Sequence, residues 1–410
     1  MEVNGLPVVK LGEVLPKSYK NGIYKAADAY GQGTYILRIT DFDNEGTLFR
    51  EKLQKLKLTQ DEIDSFKLNT NDIIVNRVNS LSHIGKTILW DKNIGEEVVY
   101  ESNMMRIEAD ENLVLPNYLI RVFQTYNART HFRKVAKRAV AQCSINQQDI
   151  KSLTFPLPPL PEQKKIAQIL STWDKAITTT EQLLANSQQQ KKALMKQLLT
   201  GKKRLPGFSG EWIKGELGDI AKIDTGFAFK SSDFTNLPTG IPVIRMSDFK
   251  NGSLDISSAA KVSDEAISGL DRFKLNRNDF VFGMSGSLTN YGWVTEKNLP
   301  CYLNQRVGRI VAKEGISQLF TTYLYLSEKI QKSILDKAAG AAQLNISVND
   351  LRSTKINYPR FEEQQKIAAI LSGADQEISN IRQRLDCMKL EKSALMQQLL
   401  TGKKRVSINS

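Results

Sequence analysis

Residues 193–204 read ALMKQLLTGKKR, and residues 394–405 read ALMQQLLTGKKR. One dodecapeptide thus recurs with a single change, 201 residues further along. Working outward at the same offset, EQKKIAQILSTWDKAI at 162–177 matches EQQKIAAILSGADQEI at 363–378. From Glu162 to Arg204 no gap is needed, and 24 of 43 positions are identical. Shared helical composition does not produce that degree of identity, so the segment is a duplication.

Both copies carry a heptad. In the first, one seam row is Ile166, Trp173, Thr180, Ser187, Leu194 and the other is Leu170, Ile177, Leu184, Lys191, Leu198. In the second, the rows are Ile367, Ala374, Ile381, Met388, Leu395 and Leu371, Ile378, Leu385, Lys392, Leu399. Alternating steps of three and four over five heptads predict two long helices that pair with each other. Thr180, Ser187, Lys191 and Lys392 are polar seam positions, where a weaker seam is expected. Pro161 and Glu162 suit a helix start. Gly201 and Gly402 suit a stop. A helix of about 39 residues at about 1.5 Å per residue is about 58 Å long. RLPGFSGEW, at 204–212, leads from the first helix into the next globule with almost no linker. The return helix must then run antiparallel to the first, with two heads held apart in opposed senses by a pseudo-twofold relation.

The segments between the helices are also related. ILRITDF at 36–42 aligns with VIRMSDF at 243–249, and KLNTND at 67–72 aligns with KLNRND at 274–279, both offset by 207. Each head opens with β-type runs: TYILRITDF, NDIIVNRV and IGKTILW in the first, IPVIRMSDF, DFVFGM and YGWVTE in the second. Each is expected to close with one helix, Asn117–Ala139 and Ser317–Ala338. The fold class expected is α+β: two similar mixed α/β heads and an antiparallel coiled coil. The boundaries read as head 1–158, arm 159–204, head 205–360, arm 361–405 and tail 406–410.

The net charge is +13 and the sequence pI about 9.4, which favours a polyanionic partner. The charge is patchy: residues 112–148 hold six basic side chains and no acidic one. Three scattered cysteines argue for a reducing compartment, and two histidines argue against a His-rich metal cluster. MEVNGLPVVKLGEV has no basic segment followed by an apolar one, so no signal peptide is expected, nor any membrane span. HIGKT at 83–87 ends like a phosphate-binding loop, but Ser80 stands where that motif needs glycine. GMSGS at 283–287 misplaces the last glycine of a nucleophile elbow. FPLPPL at 155–160 lacks the polar and aromatic flanks of an amino-methyltransferase tetrapeptide. No covalent chemistry and no resident cofactor are expected.

Binding signals are clearer. The loop 76–86, NRVNSLSHIGK, gathers Arg77, Asn79, Ser80, His83 and Lys86, side chains suited to phosphates and base edges. Its counterpart 283–293, GMSGSLTNYGW, offers Ser285, Ser287, Thr289, Asn290, Tyr291 and Trp293. Positions alike in both copies, such as Asn71/Asn278, Asp72/Asp279 and Gly85/Gly292, are assigned to the fold. Positions that differ (Arg77/Met284, His83/Asn290, Ile84/Tyr291, Lys86/Trp293) are the candidates for reading different bases. Arg133, Lys137 and Arg138, on the basic segment 121–138, are expected on a helix that meets phosphates or a partner.

The doubled P-x-x-EQ-x-KIA-x-IL-S-x-x-D block (159–174, and 363–375 after Pro359), ALM-x-QLLTGKKR and RLPGFSGEW resemble the specificity subunits of type I restriction-modification systems. That resemblance implies two target recognition domains, each reading half of a bipartite site in double-stranded DNA, with the coiled coil setting the gap. It implies a non-catalytic, cytoplasmic subunit. Its partners would be two methylation subunits bringing S-adenosylmethionine and two restriction subunits bringing ATP and Mg. A stand-alone DNA-binding regulator and a coiled-coil scaffold are the competing readings.

Overall fold

The computed structural model describes residues 2–15, 19–91, 94–140, 142–250, 252–338 and 344–407. The last three residues of the expected tail lie outside this set. Two helices dominate, Leu160–Leu198 and Phe361–Leu400. The chain divides into two compact units, Met1–Glu181 with Gln383–Ser410, and Gln182–Arg382. Each unit therefore holds one head, the near half of one long helix and the far half of the other.

Within both units the helices pair antiparallel. In the first unit Asp174 accepts from Lys392 at 2.5 Å and Glu181 from Lys389 at 2.7 Å. In the second, Lys191 donates to Asp375 at 2.5 Å. Every seam residue named from the heptad is buried or half-buried. The polar seam positions do not break the pairing. Lys191 and Lys392 lay their stems in the seam and carry their ammonium groups to Asp375 and Asp174. The Thr180 hydroxyl satisfies itself on the Ala176 carbonyl one turn back, at 2.8 Å. Both helices stop as the glycines dictate. Gly201 and Gly402 sit at φ +70° and +71°, in the left-handed region where an added Cβ is penalised. Around each, the glycine N–H bonds the carbonyl three residues back (Leu198, Leu399), and the N–H two residues on reaches back across the turn (Lys203 to Gln197, Lys404 to Gln398).

The heads repeat one sheet order. In the first, the antiparallel strands lie in the spatial order Tyr19–Asn21, Met104–Ile107, Asp72–Asn76, Thr87–Trp90. In the second, the order is Ala221–Thr225, Val307–Ala312, Phe280–Gly283, Tyr291–Trp293. A second sheet in each head contains one parallel pair, Tyr30–Leu37 with Val98–Tyr100 and Ile241–Ile244 with Tyr302–Leu303. The fold is α+β. The matched asparagines, aspartates and one glycine serve the backbone. Asn71 and Asn278 adopt φ +75° and +70°, and Asp72 and Asp279 accept the Asn69 and Asn276 N–H at 2.7 and 2.9 Å. A Cβ on Gly85 would meet the Phe132 ring at 2.4 Å.

One expectation is corrected in both heads. The closing helix is two helices, Pro116–Phe123 and Tyr126–Val135 in the first, Gln318–Leu326 and Glu328–Ala338 in the second. Thr125, with extended φ and ψ, breaks the run and caps the next helix by accepting the Ala128 N–H. Ser327 takes the same extended conformation. The first helix pair also ends before residues 137–138, which form a strand.

The duplicated Glu-Gln has a physical role. Glu162 and Glu363 are 1% and 2% exposed. Arg405 grips Glu162 in a bidentate pair at 2.8 and 2.7 Å. Arg204 grips Glu363 likewise at 2.8 and 2.8 Å. The end of one long helix is thus fastened to the start of the other inside each unit. Gln163 accepts the Leu115 N–H and donates to Leu113 and Pro158 carbonyls, while Gln364 accepts from Ser317 and donates to Pro359. These amides hold each head's helix pair against its arm. The aspartate closing the block does the same: Asp174 also accepts from Arg121, and Asp375 from the Tyr323 hydroxyl at 2.6 Å.

Candidate nucleic-acid interface

In the first head, strand Asp72–Asn76 runs into the short strand Val78–Asn79 and a tight turn before strand Thr87–Trp90. The Ser80 carbonyl accepts the His83 and Ile84 N–H groups, and the Asn76 carbonyl accepts from Gly85. Ser80 and Ser82 both bond His83 Nδ1 at 2.9 Å, so the tip is an exposed hydroxyl–imidazole cluster. Asn79 Oδ1 is turned onto the Ser80 N–H.

The fold joins this loop to the basic segment. Val78–Asn79 pairs with Cys143–Ser144, which pairs in turn with Lys137–Arg138. Two patches 50 residues and more apart in sequence become one three-stranded ribbon. Lys137, Arg138 and, on the preceding helix, Arg133 are all exposed. Lys137 and Arg138 stand on the ribbon, not on the helix expected to carry them, because the helix ends at Val135. Cys143 is buried beneath, its thiol donating to the Asn79 carbonyl at 3.1 Å, and burial pushes that thiol's pKa up. Val140, fully exposed near the ribbon's end, and Gln142, also exposed, belong to the same surface. Sequence reasoning missed both, since only the ribbon pairing places them.

Two expected residues are turned inward. Lys86 is 8% exposed and donates to the Ile39 and Phe42 carbonyls at 2.5 and 2.7 Å, its ammonium 4.2 Å from the Phe42 ring centroid. Burial pushes that ammonium's pKa down, against the pull of Asp43, Asp41 and Glu101. Arg77 is half-buried and donates to the Ser102 carbonyl at 3.1 Å.

The second head presents a different surface on the same frame. Ser287 and Thr289 are exposed, and the Ser287 hydroxyl donates to Asn290 Oδ1 at 3.2 Å. Tyr291 and Trp293 are half-buried and pack on Phe280, at 5.8 and 5.1 Å between ring centroids. Burial, then Asp375, raises the Tyr291 phenol pKa. Both rings pack on the core and keep part of their surface exposed. Ser285 is half-buried in a polar cleft of about 330 Å³, whose other walls include Thr225, Met284, Gln305, Arg306 and Asn345. Among the described residues, no group of three or more His, Cys, Asp or Glu side chains is placed to hold a metal, and no helix is long and apolar enough to cross a membrane.

The type I restriction modification DNA specificity domain model matches the chain twice, over residues 5–186 and 209–388. A putative type I restriction enzyme specificity subunit, MjaX, of Methanocaldococcus jannaschii is 30% identical over 85% of this chain and 82% of its own length. The MjaVIII specificity subunit of the same organism is 27% identical over 83% and 82%. In three dimensions the fold is like that of the type I restriction-modification S subunit from M. genitalium, with a TM-score of 0.60 at 14% identity over 100% of this chain and 99% of that one. It is equally like a chain from a structure of type I system assembly and conformational transition, with a TM-score of 0.60 at 17% identity over 97% and 99%. The chain belongs to the type I restriction-modification specificity subunits.

Proposed function

We propose that this chain reads a two-part site in double-stranded DNA, one half with each head, for methylation and restriction subunits that dock on it. Residues 1–158 and 205–360 are the two recognition domains, and 159–204 and 361–405 are the arms that set the gap. The observation that carries the reading is paired sameness and difference. The two heads share a sheet order and the same glutamine-bonded attachment to the arms, through Gln163 and Gln364, yet they expose different polar groups on the equivalent loop. The chain performs no covalent step. S-adenosylmethionine would enter with two methylation subunits, ATP and Mg with two restriction subunits, and the complex would act in the cytoplasm.

The basic ribbon supplies sequence-independent attraction, because each phosphate neutralised releases counterions. Co-expression with the cognate methylation subunits, followed by methylome sequencing, tests the reading. A bipartite methylated site is expected, and replacing residues 205–360 with another head should change one half only. A change in both halves, or no bipartite site, overturns it. Tight specific binding in a gel shift without partners would favour a stand-alone regulator instead.

A further inference from the structure

The cleft in the second head has a floor made of backbone and a rim made of free side chains. Met284 donates its N–H to the Arg306 carbonyl at 3.0 Å, and Ile346 donates to the Met284 carbonyl at 3.1 Å. On the rim, Val307 N–H closes onto the Asn304 carbonyl at 2.9 Å, making a tight turn with Gln305 and Arg306 at its two central positions. Both are exposed, and neither side chain bonds another described residue. The turn itself is fixed: Gln305 N–H bonds the Phe227 carbonyl at 3.0 Å, and Arg306 N–H bonds Asn304 Oδ1 at 3.3 Å.

The first head builds the same turn. Met104 N–H closes onto the Glu101 carbonyl at 3.0 Å, with Ser102 and Asn103 at the centre. The equivalence is fixed by backbone bonding: Arg77 donates its N–H to Asn103 just as Met284 donates to Arg306. The two heads therefore keep the turn and differ at both of its central positions, half-buried Ser102 and Asn103 in the first against exposed Gln305 and Arg306 in the second. Glutamine and arginine are the side chains that bond adenine and guanine edges in pairs. They are free here, held on a rigid turn, and beside the exposed loop already assigned to DNA.

Resting on the proposed DNA-reading role, we infer that the turn Asn304–Val307 is a base-reading element of the second head, with Gln305 and Arg306 as specificity determinants, and that Glu101–Met104 is its counterpart in the first. Sequence comparison overlooked the turns because their offset is 203, whereas the loops are offset by 207.

The test uses the full chain with its methylation subunits and the methylome as readout, for wild type, Gln305→Ala, Arg306→Ala and Arg306→Lys. Both alanine variants should relax one or two letters of a single half-site by about tenfold or more, leaving the other half unchanged. Arg306→Lys keeps the charge but loses the fork, so it should relax that half-site too. If Arg306→Lys behaves as wild type while Arg306→Ala weakens all sites uniformly and lowers the salt slope by about one, the residue meets a phosphate and the inference fails. Unchanged letters in every variant, with unaltered melting curves, also overturn it. Absence of a bipartite site in the wild type would instead sink the DNA-reading role from which the turn's function follows.

Discussion

The loop 76–86 of the first head and the loop 283–293 of the second occupy equivalent places, and four of their positions differ in kind. Of those four, only His83/Asn290 has an exposed polar group in the first head and a partly exposed one, hydrogen-bonded to the loop's own Ser287, in the second. Lys86 is spent on two carbonyls inside its head, and Trp293 packs on Phe280. Ile84 is 3% exposed, and Tyr291 leans on the same phenylalanine. Arg77 bonds a carbonyl, and Met284 is 6% exposed. Divergence between duplicated heads thus has two sources. One is what each head reads, and the other is how each core repacked around its own sheet. Exposure separates them, and sequence difference alone does not.

Lys86 offers the strongest way to break this comparison. Lys86→Met leaves the Ile39 and Phe42 carbonyls without a donor in a buried place, which should cost about 3 kcal/mol in urea unfolding. Trp293→Ala, from a half-buried site, should cost about 2 kcal/mol. Neither should alter the salt dependence of DNA binding by the folded complex. A Lys86→Met protein of unchanged stability and a shallower salt slope would return Lys86 to the interface.

Next in size are the helix-end clamps. Arg204→Ala and Arg405→Ala each strand a carboxylate that is almost fully buried, so both should lower the melting temperature of the chain. The Arg204 side chain is 27% exposed and that of Arg405 is 44%, so Arg405→Ala should be the milder of the two. Equal losses would mean that the carboxylate alone, and not the solvation of its partner, sets the cost.

Asp72 adds a smaller, pH-dependent effect in one head. Burial pushes its carboxyl up to about 6, against the Asn69 N–H and Arg106, which pull it down. Between about pH 4 and 6 the native state keeps a proton that the unfolded chain has released. Stability from this group is therefore complete below about pH 4 and is lost as pH rises through about 6, a fall of at most about 3 kcal/mol. Asp72→Asn should flatten that slope in unfolding titrations from pH 4 to 7. An unchanged slope would assign it to another group.

The arms were legible because a heptad and a glycine stop are local rules that tertiary structure had no reason to override. Even the seam lysines were visible, although their aspartate partners lie 184 and 218 residues away in sequence and could not be paired from it. The heads were legible as strands but not as surfaces. Nothing local marks Lys86 as buried, because its partners are backbone carbonyls of residues 39 and 42. The basic segment looked helical to its end, because strand pairing of Lys137–Arg138 with Cys143–Ser144 is a non-local decision. The break at Thr125 carried a signal, a capping threonine ahead of a fresh turn, that the helical composition on either side concealed.

The smallest effect asks whether the heads are copies at the level of single dihedral angles. Asn71 and Asn278 both sit in the left-handed region, where asparagine is tolerated, alanine is strained and glycine is at ease. Asn71→Ala and Asn278→Ala should each cost about 1 kcal/mol. The glycine variants should not be equivalent. Asn71 Nδ2 donates to Glu111 Oε1 at 2.8 Å, an exposed bond that Asn71→Gly forfeits. Asn71→Gly should therefore fall about 0.5 kcal/mol below Asn278→Gly when each is unfolded by urea. A matched alanine penalty with an offset in glycine would show a shared backbone carrying different side-chain chemistry, the same relation that the exposed loops display. Unequal alanine penalties would mean that the backbone itself has drifted, and that the heads can be aligned at their sheets but not at their turns.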